Sequence, residues 1–180
     1  MFSNIFKKIE ARAVLANIFL ALVVQTLVQV ILIWIISPKL QEYSQGKMLD
    51  LRFLYTEHDM IQYFTELGTS GRNLYFFAEL IDLIYPLAYT ATFILLLVFL
   101  GKYAFPSTQV TKVAIIAPLL LLFSDYMENI IVIILLLIFP DENYLYKIAG
   151  FVTLGKFLLL FLNFIIVSVF GLMALKKEML

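Results

Sequence analysis

The stretch Phe123-Ser124-Asp125-Tyr126-Met127-Glu128-Asn129 lies inside a run from Val113 to Phe139 in which almost every other residue is Leu, Ile, Val or Phe. A run this long and this apolar predicts a membrane-spanning helix, because about 20 residues rising 1.5 Å each cross a hydrocarbon core of about 30 Å. Asp125 and Glu128 then fall close to the bilayer midplane. On an insertion scale each acid there costs about 2.5–3.5 kcal/mol, while each Leu, Ile, Val or Phe returns about 0.3–0.6 kcal/mol. The apolar majority outweighs two acids, so the segment still inserts. An ionisable residue at that depth is a functional-site candidate by default.

Composition points the same way. Of 180 residues, 63% are hydrophobic, more than a core of this size can hide, since a small domain has too much surface for its volume. Net charge is zero, so nothing favours nucleic acid or another strongly charged partner. The absence of cysteine excludes disulfides, thiolate metal sites and thiol redox chemistry. With His58 as the single histidine, His-rich metal sites are excluded as well. No metal is assigned. Carboxylates with an Asn would suit Mg²⁺, Ca²⁺ or Mn²⁺ rather than Zn²⁺. No P-loop, Rossmann fingerprint or other cofactor motif is present, and no cofactor is expected.

Working outward, the spacing predicts four spans at 13–36, 74–100, 113–139 and 148–175. Residues 1–12 are short and basic, with Lys7, Lys8 and Arg12. The first span carries no charge, and Gln25 and Gln29 share a face. The segment from 37 to 73 is the sizeable polar one. Leu49, Leu51, Phe53 and Tyr55 alternate with Asp50 and Arg52 in a weak strand-like pattern. Thr56 with Asp59 makes an approximate capping box for an amphipathic helix through Leu67, which Gly68 is placed to end. That helix is expected on the membrane surface or as a lid over the bundle. On the second span Tyr75, Glu79, Asp82, Tyr85, Pro86, Tyr89 and Phe93 fall on one side. On the third, Pro118, Asp125, Glu128 and Asn129 do. The fourth carries Thr153, Lys156 and Asn163.

The fold class expected is therefore all-α: a polytopic membrane protein, an antiparallel four-helix bundle with an extracytoplasmic loop helix, forming one membrane domain over 1–180. Seven cationic residues fall on the side of the termini, and the long loop carries four with most of the acids that lie outside the spans. The positive-inside rule then places the termini in the cytoplasm.

Counting down each span brings Glu79, Asp82, Asp125, Glu128, Asn129, Lys156 and Gln29 to one layer in the outer half of the membrane, with Tyr85, Tyr89 and Asn163 on the same faces. Four carboxylates with one ammonium do not balance, so protons or a bound cation must make up the difference. Three readings fit. The layer binds or helps to transport a cation, proton, amine or lipid headgroup, for which carboxylates with tyrosine faces are suited. Alternatively, paired carboxylates serve as acid and base in an intramembrane enzyme acting on a lipid or isoprenoid. In the third, the polar groups only fix helix register in a structural or partner subunit. No catalytic residue is assigned. Membrane lipids, a small amphipathic or cationic ligand, a second copy and a partner membrane subunit are the partners compatible with this surface.

Three stretches carry a resemblance: Tyr55-Thr56-Glu57 to Leu67-Gly68-Thr69-Ser70-Gly71-Arg72, then Asp82-Leu83-Ile84-Tyr85-Pro86-Leu87-Ala88-Tyr89, then Asp125-Tyr126-Met127-Glu128-Asn129. Together they resemble a group of uncharacterised bacterial four-span membrane proteins with D-x-x-[FY]-P-x-x-Y and D-x-x-E-N motifs. The likeness covers about half the chain, implies the four-span architecture and the cytoplasmic (inner) membrane of a bacterium, and brings no activity with it. Glu79 to Pro86 is also similar to the acid-then-proline pattern on the second helix of the EXPERA-type four-helix membrane proteins, sterol isomerases and sterol or amine binders. That likeness implies acids of the second and third helices facing a ligand cavity between helices; the histidine expected on the second helix is absent here.

Overall fold

The computed structural model describes residues 2–178, with side chains described for 4–177. It is all-helical, with no strand among the described residues: α1 (Phe2–Arg12), α2 (Leu15–Val30) running through a π-helical turn (Ile31–Ile36) into α3 (Ser37–Gln41), a 3-10 turn (Leu49–Leu51), α4 (Glu57–Asp82), α5 (Tyr85–Ala104), α6 (Thr108–Ala114), α7 (Ile116–Ile138) and α8 (Leu145–Glu178). Among the described residues, four stretches are long and apolar enough to cross a membrane: Leu15–Gln41, Glu57–Ala104, Thr108–Ile138 and Leu145–Lys177.

The chain clusters into two compact units. One comprises Thr26–Pro86 and Phe123–Phe157. Its core is Leu40, Leu49, Met60, Phe64, Leu67, Tyr75, Val132, Leu135 and their neighbours. Buried positions on α4 run Met60, Tyr63, Phe64, Leu67, Gly71, Tyr75, Ala78, Glu79, Asp82, the three-and-four spacing of one helix face. The same stripe that begins with Met60 and Phe64 therefore ends on two acids. On α7 it runs Asp125, Glu128, Asn129, Val132, Leu135, and on α8 Tyr146, Ala149, Thr153, Lys156. Polar groups stand on the buried faces because they continue apolar stripes.

Several expectations about local structure are corrected here. Leu49–Tyr55 is not strand-like: Leu51 and Arg52 donate their N–H groups back to Met48 and Leu49 at 3.2 and 2.9 Å, since a lone short strand has no neighbour to satisfy its backbone. Thr56 does open a helix with a full capping box, its N–H donating to Asp59 Oδ2 at 2.8 Å and its Oγ1 accepting from the Asp59 N–H at 3.2 Å. That helix continues past Gly68, which takes φ 58, ψ −173, a conformation open essentially to glycine alone. The chain bends there and resumes helix, so Gly68 makes a one-residue kink rather than the expected helix end. The expected second span is itself interrupted at Leu83–Ile84 and the third at Ile115. Pro86 and Pro118 follow these breaks within the first turn of α5 and α7. Each lacks the N–H that would bond the carbonyl four residues back, so helix cannot run through and restarts. The first span extends to Gln41 rather than Ile36. Pro38 is accommodated in the first turn of α3, and the Ser37 N–H reaches back five residues to the Leu32 carbonyl.

The second unit comprises the chain up to Gln25, Leu87–Leu122 and the chain from Leu158. Phe6, Ala13, Leu97, Val98, Ile115 and Phe170 form its core. The basic N-terminal stretch is helical: Lys102 Nζ donates to the Glu10 and Ala13 carbonyls at 2.9 and 3.4 Å, capping the negative end of α1. Lys112 lies 5.2 Å from the Phe6 ring centroid.

Candidate functional site

Within the unit built from Thr26–Pro86 and Phe123–Phe157, the acids of α4 and α7 meet Lys156 of α8. Lys156 Nζ forms an ion pair with Glu128 Oε2 and lies 3.8 Å from Asp125 Oδ1. It also donates to the Asp50 carbonyl at 3.4 Å. All three side chains are nearly sealed, Lys156 at 11%, Asp125 at 5% and Glu128 at 1% exposure. Glu128 Oε1 accepts from Thr153 Oγ1 at 2.5 Å. Having donated its proton there, Oγ1 is left to accept from the Tyr55 hydroxyl, 3.2 Å away. Burial, and then the Glu128 charge, pushes the Tyr55 phenol well above its ordinary value, so it remains a donor. Tyr55 is brought to this position by Gly150: a Cβ there would collide with the Tyr55 carbonyl, so only glycine lets α8 approach this segment so closely.

A second group lies around Asp82. Asn129 Nδ2 donates to Asp82 Oδ2 at 2.9 Å, and this fixes the amide orientation, since turning Oδ1 toward a carboxylate would set two acceptors against each other. Asn129 Oδ1 is then the leftover atom, buried and without a hydrogen-bond partner among the described residues. Beside it in the chain, Tyr126 donates its hydroxyl to the Leu83 carbonyl at 2.9 Å, where the helix break has freed backbone acceptors.

Glu79, 1% exposed, interacts by charge with Asp50, Asp82 and Glu128 and by hydrogen bonding with Tyr75. Its Oε2 has no hydrogen-bond partner among the described residues. The Tyr75 hydroxyl also lies 3.3 Å from Asp50 Oδ1. Asp50 thereby joins the cluster from the loop. Burial holds its carboxyl above the ordinary carboxylate value, with Lys156 pulling the other way and Asp125 adding to the rise. No set of three or more His, Asp or Glu side chains is arranged to hold a metal ion among the described residues.

Of the residues singled out from sequence, Glu79, Asp82, Asp125, Glu128, Asn129 and Lys156 thus lie in one network. Tyr85 belongs to the same unit and is half-buried. Gln29 is exposed: the buried stripe of its helix follows Val28, Leu32, Ile36 and Leu40, which turns residue 29 outward. Tyr89 and Asn163 are buried in the other unit, where Asn163 Nδ2 donates to the Leu159 carbonyl of its own helix at 2.8 Å. Asp50, Tyr55, Tyr75 and Thr153 were not singled out as site residues. The signal for Asp50 is its place between Leu49 and Leu51 in an otherwise polar loop. Comparison with family models, with curated proteins and with solved structures gives no match to this chain.

Proposed function

We propose that this is a multi-pass protein of a bacterial cytoplasmic membrane, its four spans antiparallel and its termini cytoplasmic, whose buried acids bind a cation or help to carry it through the membrane. The observation that carries this is charge. Asp50, Glu79, Asp82, Asp125 and Glu128 cluster, and the ammonium that Asp50, Asp82, Asp125 and Glu128 share is that of Lys156. Glu79 is surrounded by acids and keeps an unpartnered oxygen. A purely structural network has no use for that surplus, because each unneutralised buried charge is destabilising unless a proton or cation joins it. The four long apolar stretches support the membrane setting.

Proton release tests it. A cation entering such a cluster displaces the protons that the acids share. Adding sodium or small alkylammonium salts to the detergent-purified protein in weak buffer should release protons in proportion to protein. Glu79→Gln or Asp125→Asn should reduce that release. No release with any cation, on a protein shown to be folded by its thermal transition, would refute the proposal.

A second reading has a specific observation behind it. Glu128 is held by Lys156 and Thr153, whereas Glu79 faces other acids. Two carboxylates in such different surroundings are what acid–base chemistry on a lipid or isoprenoid substrate would require.

A further inference from the structure

Hydrogen-bonding capacity narrows the class of cation, on the premise that the cluster is a cation site. The donors that hydrogen-bond within it are committed. Lys156 Nζ serves Glu128, Asp125 and the Asp50 carbonyl; Thr153 Oγ1 serves Glu128; Asn129 Nδ2 serves Asp82; Tyr126 serves the Leu83 carbonyl; Tyr75, with one hydroxyl proton, serves Asp50 or Glu79. Among the buried atoms left over, the Tyr63 hydroxyl, which the charges of Asp50 and Glu79 reach, can donate or accept, and the others on the cluster's uncommitted side chains are acceptors alone. Glu79 Oε2 and Asn129 Oδ1 are both acceptors, both on side chains no more than 1% exposed, and both without a hydrogen-bond partner among the described residues. A buried acceptor left unmet is destabilising, and more so when it is charged. The occupant that removes the cost must bring hydrogen-bond donors together with positive charge.

We infer that the site takes a primary or secondary ammonium group, whose N–H bonds reach Glu79 Oε2 and Asn129 Oδ1, and that it discriminates against quaternary ammonium ions. Anionic groups such as phosphate are excluded on the same grounds: they would add acceptors to a place where acceptors are in surplus. A trimethylated headgroup supplies charge without donors and leaves both atoms unmet. An amine brings both. The ammonium can belong to a free amine or to the headgroup of an aminolipid, since the recognised chemistry is shared.

Two cations of the same shape, size and charge isolate the donor contribution: tert-butylammonium, which has N–H bonds, and tetramethylammonium, which has none. Binding of each to the wild-type protein in detergent would be measured by calorimetry, with proton release recorded alongside. The expected result is that tert-butylammonium binds about tenfold or more tightly, as one charge-assisted hydrogen bond of about 1.5–3 kcal/mol implies. Glu79→Gln should shrink that ratio. Equal affinity for the two ions would overturn the inference while leaving the cation site standing. Sodium-driven proton release with no binding of either ammonium would do the same. Absence of response to all three ions would remove the cation site and the inference with it. Repeating the comparison in nanodiscs of phosphatidylethanolamine and of phosphatidylcholine separates the two sources. Weaker tert-butylammonium binding in the former supports an aminolipid headgroup as the occupant, and equal binding in both supports a free amine.

Discussion

Lys156 stands among acids on α8, and removing it would leave Glu128 buried with Thr153 as its hydrogen-bond partner. Breaking a buried pair on one side costs about 3–5 kcal/mol, whereas replacing both members by neutral groups of similar shape is often harmless. Lys156→Met should therefore lower the thermal midpoint in detergent steeply, and Lys156→Met with Glu128→Gln should recover most of the loss; recovery by Asp125→Asn should be smaller, because that acid is farther from Nζ. Asp50 gives a dependence on pH. Its carboxyl is held above the ordinary value of 3.8 in the folded protein, so its favourable contribution is complete below 3.8 and is lost as pH rises through the folded value. Asp50→Asn should accordingly raise the midpoint at pH 7, with the difference from wild type vanishing near pH 3. Glu79, Asp82, Asp125 and Glu128 were readable because an acid inside an apolar helix stands out from its neighbours. Asp50 was not, because in a polar loop an acid is ordinary until the loop is seen to fold onto the cluster. Gln29 shows the opposite failure: facing out from an apolar helix, a carboxamide has the same sequence signature as one facing in.

Element boundaries follow from a few residues with unusual backbone needs. Gly68 sits at φ 58, ψ −173, and a methyl added to its Cα would meet nothing within 4 Å, so Gly68→Ala isolates conformational strain from crowding. It should lower stability by about 1–3 kcal/mol, measured as a shift in midpoint. Gly150→Ala is the complementary case, crowding without unusual backbone. The added methyl meets the Tyr55 carbonyl, and the change should expel the Tyr55 segment from α8, seen as faster hydrogen exchange over 49–55. Periodicity alone reveals neither role, since a glycine in a helical pattern leaves the same trace whether it bends the chain or admits a neighbour. The run-on of the first span to Gln41 was hidden for a related reason. Pro38 reads as a stop, yet the wide turn at Ile31–Ile36 absorbs it and lets Val28, Leu32, Ile36 and Leu40 stay buried on one line at spacings of four. Thr56 with Asp59 was legible because a capping box is local, needing two residues and no knowledge of what packs beside them.

At the scale of the molecule, the proposed topology can be tested cleanly because the chain has no cysteine of its own. A single cysteine at Gln45 should react with a membrane-impermeant maleimide in intact spheroplasts, and one at Lys8 should react after lysis alone. The reverse pattern would invert the orientation. Four apolar stretches were legible from hydropathy, which needs composition alone; the division into two compact units was not, because each is assembled from separated parts of the chain. That division sets an order of events during synthesis. Asp82 leaves the ribosome 74 residues ahead of Lys156, an interval of about 4–15 s at common elongation rates. Through that interval Asp82 has no counter-ion from α8. A nascent chain arrested before residue 156 should hold its acidic helices less deeply in the bilayer than the finished protein does, so that a cysteine placed beside Asp82 reacts with a water-soluble maleimide in the arrested form and is shielded in the complete one.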